Sequence, residues 1–332
     1  MSLDSSISFT PKGRPAVNLG VHSSASLREK KAALLGYLES DNPASANKYK
    51  RLSLSPIRYA GGKSLAVGFA TELLPNNIER VVSPFFGGGS IEIAWSRILG
   101  LEVIGYDIFD ILVNYWQHQL SRPEELASGL RKLRPDKESF ERVRLELNEV
   151  WRNGLKLPPL ELAIKYVYNF NLSYGPGFMG WASEIYLREG SFTKMVDYIE
   201  NFEAGDLEVF VGKFENTIPA HNADFLYLDP PYYLDGNSKM FKGIYPMRNI
   251  PVHHKGFDHI RLAELLHAHE GGFILSYNDC PEIRELYRDF EMSSPTWQYS
   301  MGQGETRLGA NRLAGKVGHV KASHELLIFK KP

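Results

Sequence analysis

Asp229-Pro230-Pro231-Tyr232 follows directly on the apolar run Phe225-Leu226-Tyr227-Leu228. The two prolines have no amide hydrogen and cannot continue a central strand, so the chain must leave a sheet there as a rigid loop. Such a loop presents a carboxylate, a free carbonyl and an aromatic ring at the carboxyl edge of the sheet, where open α/β folds place ligands, the alternative being a plain strand-ending turn. A second constellation, Ser83-Pro84-Phe85-Phe86-Gly87-Gly88-Gly89-Ser90, follows the run at Val81 and leads into the helical pattern Ile91 to Leu99. Glycines at a strand-to-helix turn allow a tight bend and let a ligand approach the main chain, which suits a nucleotide-like cofactor and equally a plain turn. Roughly 20 residues further on, another apolar run ends in Asp107. An acid at that strand end either accepts hydrogen bonds from ribose hydroxyls or caps the following helix.

The elements that must hold these residues are legible as short β-rich runs alternating with helical stretches, the pattern of an α/β sheet. The runs are Val81 to Phe85, Leu101 to Tyr106, Leu207 to Val211, Asp224 to Leu228, Gly272 to Tyr277 and Glu325 to Phe329. Between Leu112 and Phe202 no strand is expected; Glu124 to Leu133, Lys137 to Val150 and Leu160 to Phe170 read as helices and form an inserted helical domain. Residues 1–55 are rich in Ser, with Pro11 and Pro15, and read as a flexible, loosely attached extension interrupted by a helix-like piece from Ser26 to Glu39. The expected division is therefore 1–55 for the extension, 56–115 with 205–332 for the sheet domain, and 116–204 for the insert. Tyr59-Ala60-Gly61-Gly62-Lys63-Ser64 ends like a phosphate-binding loop, but that motif needs glycine at position 57, where Ile57 stands, and this disfavours an NTPase.

The 332 residues are 43% hydrophobic, ample for a core, and no stretch approaches the ~20 apolar residues of a membrane helix. A soluble, cytoplasmic protein is expected. Cys280 is the one cysteine, which excludes an internal disulfide and a thiolate-built zinc site. The histidines at 253, 254, 259, 267 and 269 lack a ligand pattern with other metal-binding residues, so no metal is expected. The net charge of −1 hides an asymmetry. Residues 1–63 hold 10 Lys/Arg against 4 Asp/Glu and residues 301–332 hold 6 against 2, while the middle is acidic. That pattern fits either an ordinary solvated surface or a local polyanion-binding face.

Taken together these motifs resemble the Dam-like, α-group class of S-adenosylmethionine-dependent DNA N6-adenine methyltransferases. Phe85, Gly87 and Gly89 match its Phe-x-Gly-x-Gly motif, and Asp229 to Tyr232 its Asp-Pro-Pro-Tyr motif. Tyr59 to Lys63 resembles the aromatic-Ala-Gly-Gly-Lys segment that precedes the glycines. Asp258 to Ala263, Ile274 to Asn278, Pro281 to Tyr287 and Glu325 to Phe329 resemble the rest of the catalytic domain. The resemblance spans about residues 57–330. It implies a Rossmann-like methyltransferase sheet with helices on both faces and a mainly helical inserted target-recognition domain. It further implies S-adenosylmethionine as cofactor, held by Tyr59, Lys63, Phe85, Gly87, Gly89, Asp107, Phe214 and Asp229, with Asp229, Pro230 and Tyr232 catalytic. Double-stranded DNA is the implied partner, and a cognate restriction endonuclease is a further partner the class admits. The chain departs from the class at Ser83, where an acid is usual, at Tyr59, where Trp is frequent, and at Lys213, where Asp is frequent before the Phe aligned with Phe214.

The implied reaction is transfer of a sulfonium methyl to N6 of a flipped adenine, with Asp229 and the Pro230 carbonyl accepting the amine hydrogens and Tyr232 stacking on the base. Methylation of RNA or of a protein amide, and a decayed methyltransferase kept as a DNA-binding module, are the competing readings. Gly302 to Gly318 carries Arg307, Arg312 and Lys316, spaced cations suited to following a phosphate backbone.

Overall fold

The computed structural model describes residues 6–40, 48–59, 61–174, 178–233, 256–295 and 325–332. Seven strands build one sheet: β3 (Arg80–Ser83), β4 (Glu102–Asp107), β5 (Leu207–Val211), β6 (Phe225–Leu228), β7 (Phe273–Asn278), β8 (Glu291–Ser293) and β9 (Glu325–Lys330). Their spatial order is β5-β4-β3-β6-β7-β9-β8. The first five are parallel, and β9 runs antiparallel between β7 and β8. All six expected runs are strands of this sheet. The seventh, β8, has three residues, two of them exposed, too few for a period-2 signal.

Both faces of the sheet are buried, which is why the central runs are continuously apolar rather than alternating. Val81, Phe225, Tyr227 and Ile274 enter one core, whereas their neighbours Val82, Leu226, Leu228, Phe273 and Leu275 enter the other. The second core is closed by α9 (Phe214–Ala220), α10 (His259–Ala268) and α11 (Pro281–Leu286) through Ile218, Leu262, Leu266 and Ile283.

On the first face lie α2 (Val67–Leu73), α3 (Ser90–Ala94), which continues as a π-helical turn to Leu99, and the helices between β4 and β5. These last are α4 (Asp110–Ser121), α5 (Pro123–Arg131), α6 (Lys137–Asn148), α7 (Pro159–Leu172) and α8 (Glu189–Glu200). The expected boundary at 115/116 falls within α4, whose Tyr115 and Trp116 are both fully buried. Leu126, Phe140, Val167 and Ile199 of the helical block share one core with Val81 and Val103 of the sheet.

The N-terminal segment requires a correction. A hairpin of β1 (Ser6–Phe9) and β2 (Val17–His22) leads into α1 (Leu27–Leu38), which starts with a reciprocal cap between Ser26 and Glu29. Phe9, Leu34, Leu38, Tyr49, Leu52 and Leu54 are buried in the core they share with the sheet. Composition averaged over 55 residues conceals these few apolar side chains, and they are enough to dock the segment.

The chain runs β3, β4, β5 toward one edge and then β6, β7 toward the other, so the strand order reverses between β3 and β6. Open α/β sheets bind ligands in the crevice at the carboxyl ends of the strands flanking such a reversal. Both sequence motifs leave the sheet there: the glycines after Ser83 and the prolines after Leu228.

Candidate active site

Between β3 and α3 the chain turns through Gly87 at φ +49° and Gly89 at φ +62°, a backbone that a side-chain-bearing residue adopts with strain. Asp107, the last residue of β4, is buried and fixes this turn. One of its carboxylate oxygens accepts the Gly87 N–H at 3.0 Å and the other the Phe109 N–H at 2.9 Å. Trp116 of α4 donates its ring N–H to the Gly87 carbonyl at 3.0 Å. Asp107 therefore clamps the glycine turn to the start of α4, and the Phe109 bond is the helix-start role expected of it.

Tyr59 lies directly over the turn. A Cβ added at Gly88 would come within 2.4 Å of the Tyr59 Cβ, so the close packing of the two segments requires glycine. The Tyr59 ring stacks on Phe170 of α7 at 5.8 Å. Its neighbour Arg58 straps this segment to the end of α7. The Arg58 backbone N–H donates to Asn171 Oδ1, its guanidinium donates to the carbonyls of Asn171 and Ser173, and it covers the Tyr186 ring.

Beside the turn, Phe85, Phe214 and Phe257 form an aromatic trio with centroids 5.2 to 5.7 Å apart. Phe257 was not legible as a site residue. Lys213, just before Phe214, is exposed.

The loop after β6 brings Asp229 against Lys63, with Nζ 2.8 Å from Oδ1. Lys63 is 5% exposed, whereas the Asp229 side chain retains 22%, enough to be reached from the crevice. Burial pushes the Asp229 carboxyl up to about 6; the Lys63 charge opposes this and the Glu325 charge adds to it. Lys63 also sits 4.7 Å from the centroid of the Tyr232 ring. The Tyr232 phenol donates to Glu325 Oε2 and lies 3.3 Å from Ser276 Oγ, and Tyr233 is held through its carbonyl by the Asn278 amide at 2.6 Å.

Ser83 donates its hydroxyl to Glu92 Oε1 at 2.7 Å, and both residues are buried. Burial pushes the Glu92 carboxyl up to about 7; hydrogen bonds from Ser83 and the helix start oppose this, and the Asp229 charge adds to it. A carboxylate thus stands beside the position where the sequence has Ser83. Its signal is one acid within Ile91-Glu92-Ile93-Ala94, an apolar stretch that would otherwise have no use for it.

Of the expected site residues, the structure brings Tyr59, Lys63, Phe85, Gly87, Gly89, Asp107, Phe214, Asp229, Pro230 and Tyr232 to the crevice between β3 and β6 and its rim. Arg307, Arg312 and Lys316 lie outside the described residues, as do His253 and His254. Among the described residues no three His, Cys, Asp or Glu side chains are grouped to hold a metal ion, and no helix is long and apolar enough to cross a membrane. Asn169, near the end of α7, is buried and accepts the Met179 N–H at 2.8 Å. Close by, Tyr174 and Trp181 are exposed, the latter under the Arg144 guanidinium.

Residues 59–301 match the model of the D12 class N6 adenine-specific DNA methyltransferases. The type II methyltransferase M1.LlaDCHI of Lactococcus lactis subsp. cremoris is 23% identical over 268 residues, which cover 73% of this chain and 87% of that protein. The type II methyltransferase M.FokI of Planomicrobium okeanokoites is 26% identical over 233 residues, 63% of this chain but only 35% of that longer protein. A solved structure, the rRNA methyltransferase aviRa from Streptomyces viridochromogenes, covers 92% of this chain at 13% identity with a TM-score of 0.28, too low to bear on function or fold. With both motifs at one sheet crevice and the family match running from Tyr59 through most of the chain, the protein belongs to the D12 class of N6 adenine-specific DNA methyltransferases.

Proposed function

We propose that the protein transfers a methyl group from S-adenosylmethionine to N6 of an adenine turned out of double-stranded DNA, with Asp229 as the residue that prepares the amine. The observation that carries this reading is the juxtaposition of the Asp229 loop and the glycine turn at adjacent strand ends. The residues fit the cofactor. The Gly87–Gly89 turn, packed under the Tyr59 ring and pinned by Asp107, ends at the crevice, the Phe85, Phe214 and Phe257 trio offers an apolar wall for its adenine, and Asp107 puts a carboxylate beneath a positively charged ligand. When bound, S-adenosylmethionine supplies an electrophilic methyl group on a sulfonium.

The chain's own residues supply the rest. The lone pair of an exocyclic amine is delocalised into its ring, so the amine is a poor nucleophile. Asp229 and the Pro230 carbonyl, each accepting one amine hydrogen, favour the geometry in which that pair is localised. Lys63 keeps Asp229 in its accepting form by opposing the effect of burial. A base inside a duplex is out of reach, and Tyr232 is suited to receive it once flipped. Tyr174 and Trp181, with Arg144, give the helical block exposed rings and a cation of the kind that contacts nucleic acid, and Arg307, Arg312 and Lys316 fit phosphate contacts by their spacing. A restriction endonuclease partner is consistent with the type II names of the two relatives.

The test is to express the protein in a host lacking N6-methyladenine and sequence the host DNA by a method that detects that base. Methylation at one short sequence is expected with the wild type and none with Asp229→Ala. An unmethylated genome from a host holding folded, cofactor-binding wild-type protein would reject this reading.

A further inference from the structure

Glu325 is the first residue of β9, after the residues 59–301 that the family model matches, and is 3% exposed. A buried carboxylate costs several kcal/mol unless its oxygens are satisfied. Here two hydroxyls converge on Oε2, the phenol of Tyr232 and, at 3.3 Å, the Oγ of Ser276. The register of the sheet produces this meeting. β9 pairs antiparallel with β7 so that Glu325 stands opposite Asn278, two residues from Ser276, and Asn278 in turn holds the Tyr233 carbonyl. Tyr232 is thereby gripped at its phenol from β9 and β7, while its ring lies 4.7 Å from the Lys63 ammonium and 6.1 Å from the Tyr277 ring. A leucine would fill the Glu325 position and leave that phenol without a carboxylate to bond.

We propose that Glu325 is the positioning residue of Tyr232, fixing the orientation of the ring that a flipped base would meet. The inference rests on the reading of Asp229 and Tyr232 given above. Glu325 also raises the proton affinity of Asp229, against the Lys63 ammonium that contacts that carboxylate at 2.8 Å.

Full-length wild type, Glu325→Ala, Glu325→Gln, Tyr232→Phe and the Glu325→Ala/Tyr232→Phe double variant are compared in single-turnover transfer of labelled methyl groups to unmethylated plasmid DNA. Glu325→Ala and Tyr232→Phe should each slow transfer about tenfold, because each removes the same charge-assisted hydrogen bond. The double variant should be no slower than Glu325→Ala. Glu325→Gln, which can still accept from the phenol, should keep most of the rate, and cofactor affinity by calorimetry should stay within about twofold throughout. Losses that multiply in the double variant, or that follow cofactor affinity, overturn the proposal.

Titration of the Asp229 carboxyl by carbon NMR in DNA-free protein gives a second readout that needs no activity. Glu325→Gln should lower the Asp229 midpoint, because a facing negative charge is gone, and an unchanged midpoint overturns the proposal. Wild-type protein that transfers nothing to DNA would count against the proposed function, while the titration still decides whether Glu325 acts on this cluster.

Discussion

Asp229 is held between charges of opposite effect, with Lys63 lowering its proton affinity and burial and Glu325 raising it. An accepting carboxylate must be ionised, so methyl transfer should decline as pH falls through about 6. In Lys63→Met the opposing charge is lost, and the acid limb of the single-turnover profile should move to higher pH; a limb that stays in place would remove Lys63 from the mechanism. Glu92 has a separate signature. Its carboxyl is pushed up to about 7, above its ordinary value, so the folded state holds a proton that the unfolded chain has already released. Stability should therefore fall as pH rises from about 4.5 to 7, by on the order of 3 kcal/mol. Glu92→Gln should remove the larger part of that fall in urea melts at pH 5 and 8 and leave the smaller part that the raised Asp229 carboxyl contributes, and an unchanged slope would mean that another group causes it. Asp229 could be found by sequence reading because two prolines after an apolar run have few structural uses. Glu92, Ser276 and Glu325 could not, because their meaning depends on which strands become neighbours.

The turn between β3 and α3 and the start of α4 are joined by a single carboxylate. In Asp107→Asn an amide nitrogen replaces one acceptor and faces the N–H of either Gly87 or Phe109, leaving a buried donor unsatisfied. The expected cost is about 1–3 kcal/mol of stability, read by denaturant melts, together with weaker cofactor binding by calorimetry. Full stability with weakened binding would make Asp107 a ligand contact and no clamp. The central strands were legible because a strand buried on both faces is a plain apolar run. The β1–β2 hairpin and β8 were not, since each is short and partly exposed, and their pairing, rather than their composition, makes them strands.

Across the whole molecule, the N-terminal segment is where sequence and structure part. Residues 1–50 look dispensable by composition, yet Phe9, Leu34, Leu38 and Tyr49 are buried in the common core. At about 2 kcal/mol for each buried side chain, their removal approaches the net stability of a typical domain, ~5–15 kcal/mol. A chain starting at Leu52 should be insoluble or unfolded by circular dichroism; a stable, active truncation would show that the contacts are dispensable. For the cations of the Gly-rich stretch, changing Arg307, Arg312 and Lys316 to Ala should weaken binding to all duplexes alike and reduce the salt slope by about one per lost phosphate contact. An unchanged slope in a filter-binding series would assign them to ordinary surface.

The straps between the helical block and the glycine turn carry a consequence for grafting. Arg58 ties the segment before Lys63 to α7, Phe170 stacks on Tyr59, and Trp116 bonds the Gly87 carbonyl. A block joined in this way should not transplant alone: a chimera that replaces these helices is expected to lose stability, because the turn would be left without its partners. The exposed side chains of Tyr174 and Trp181 take no part in these straps and should be replaceable without disturbing the turn.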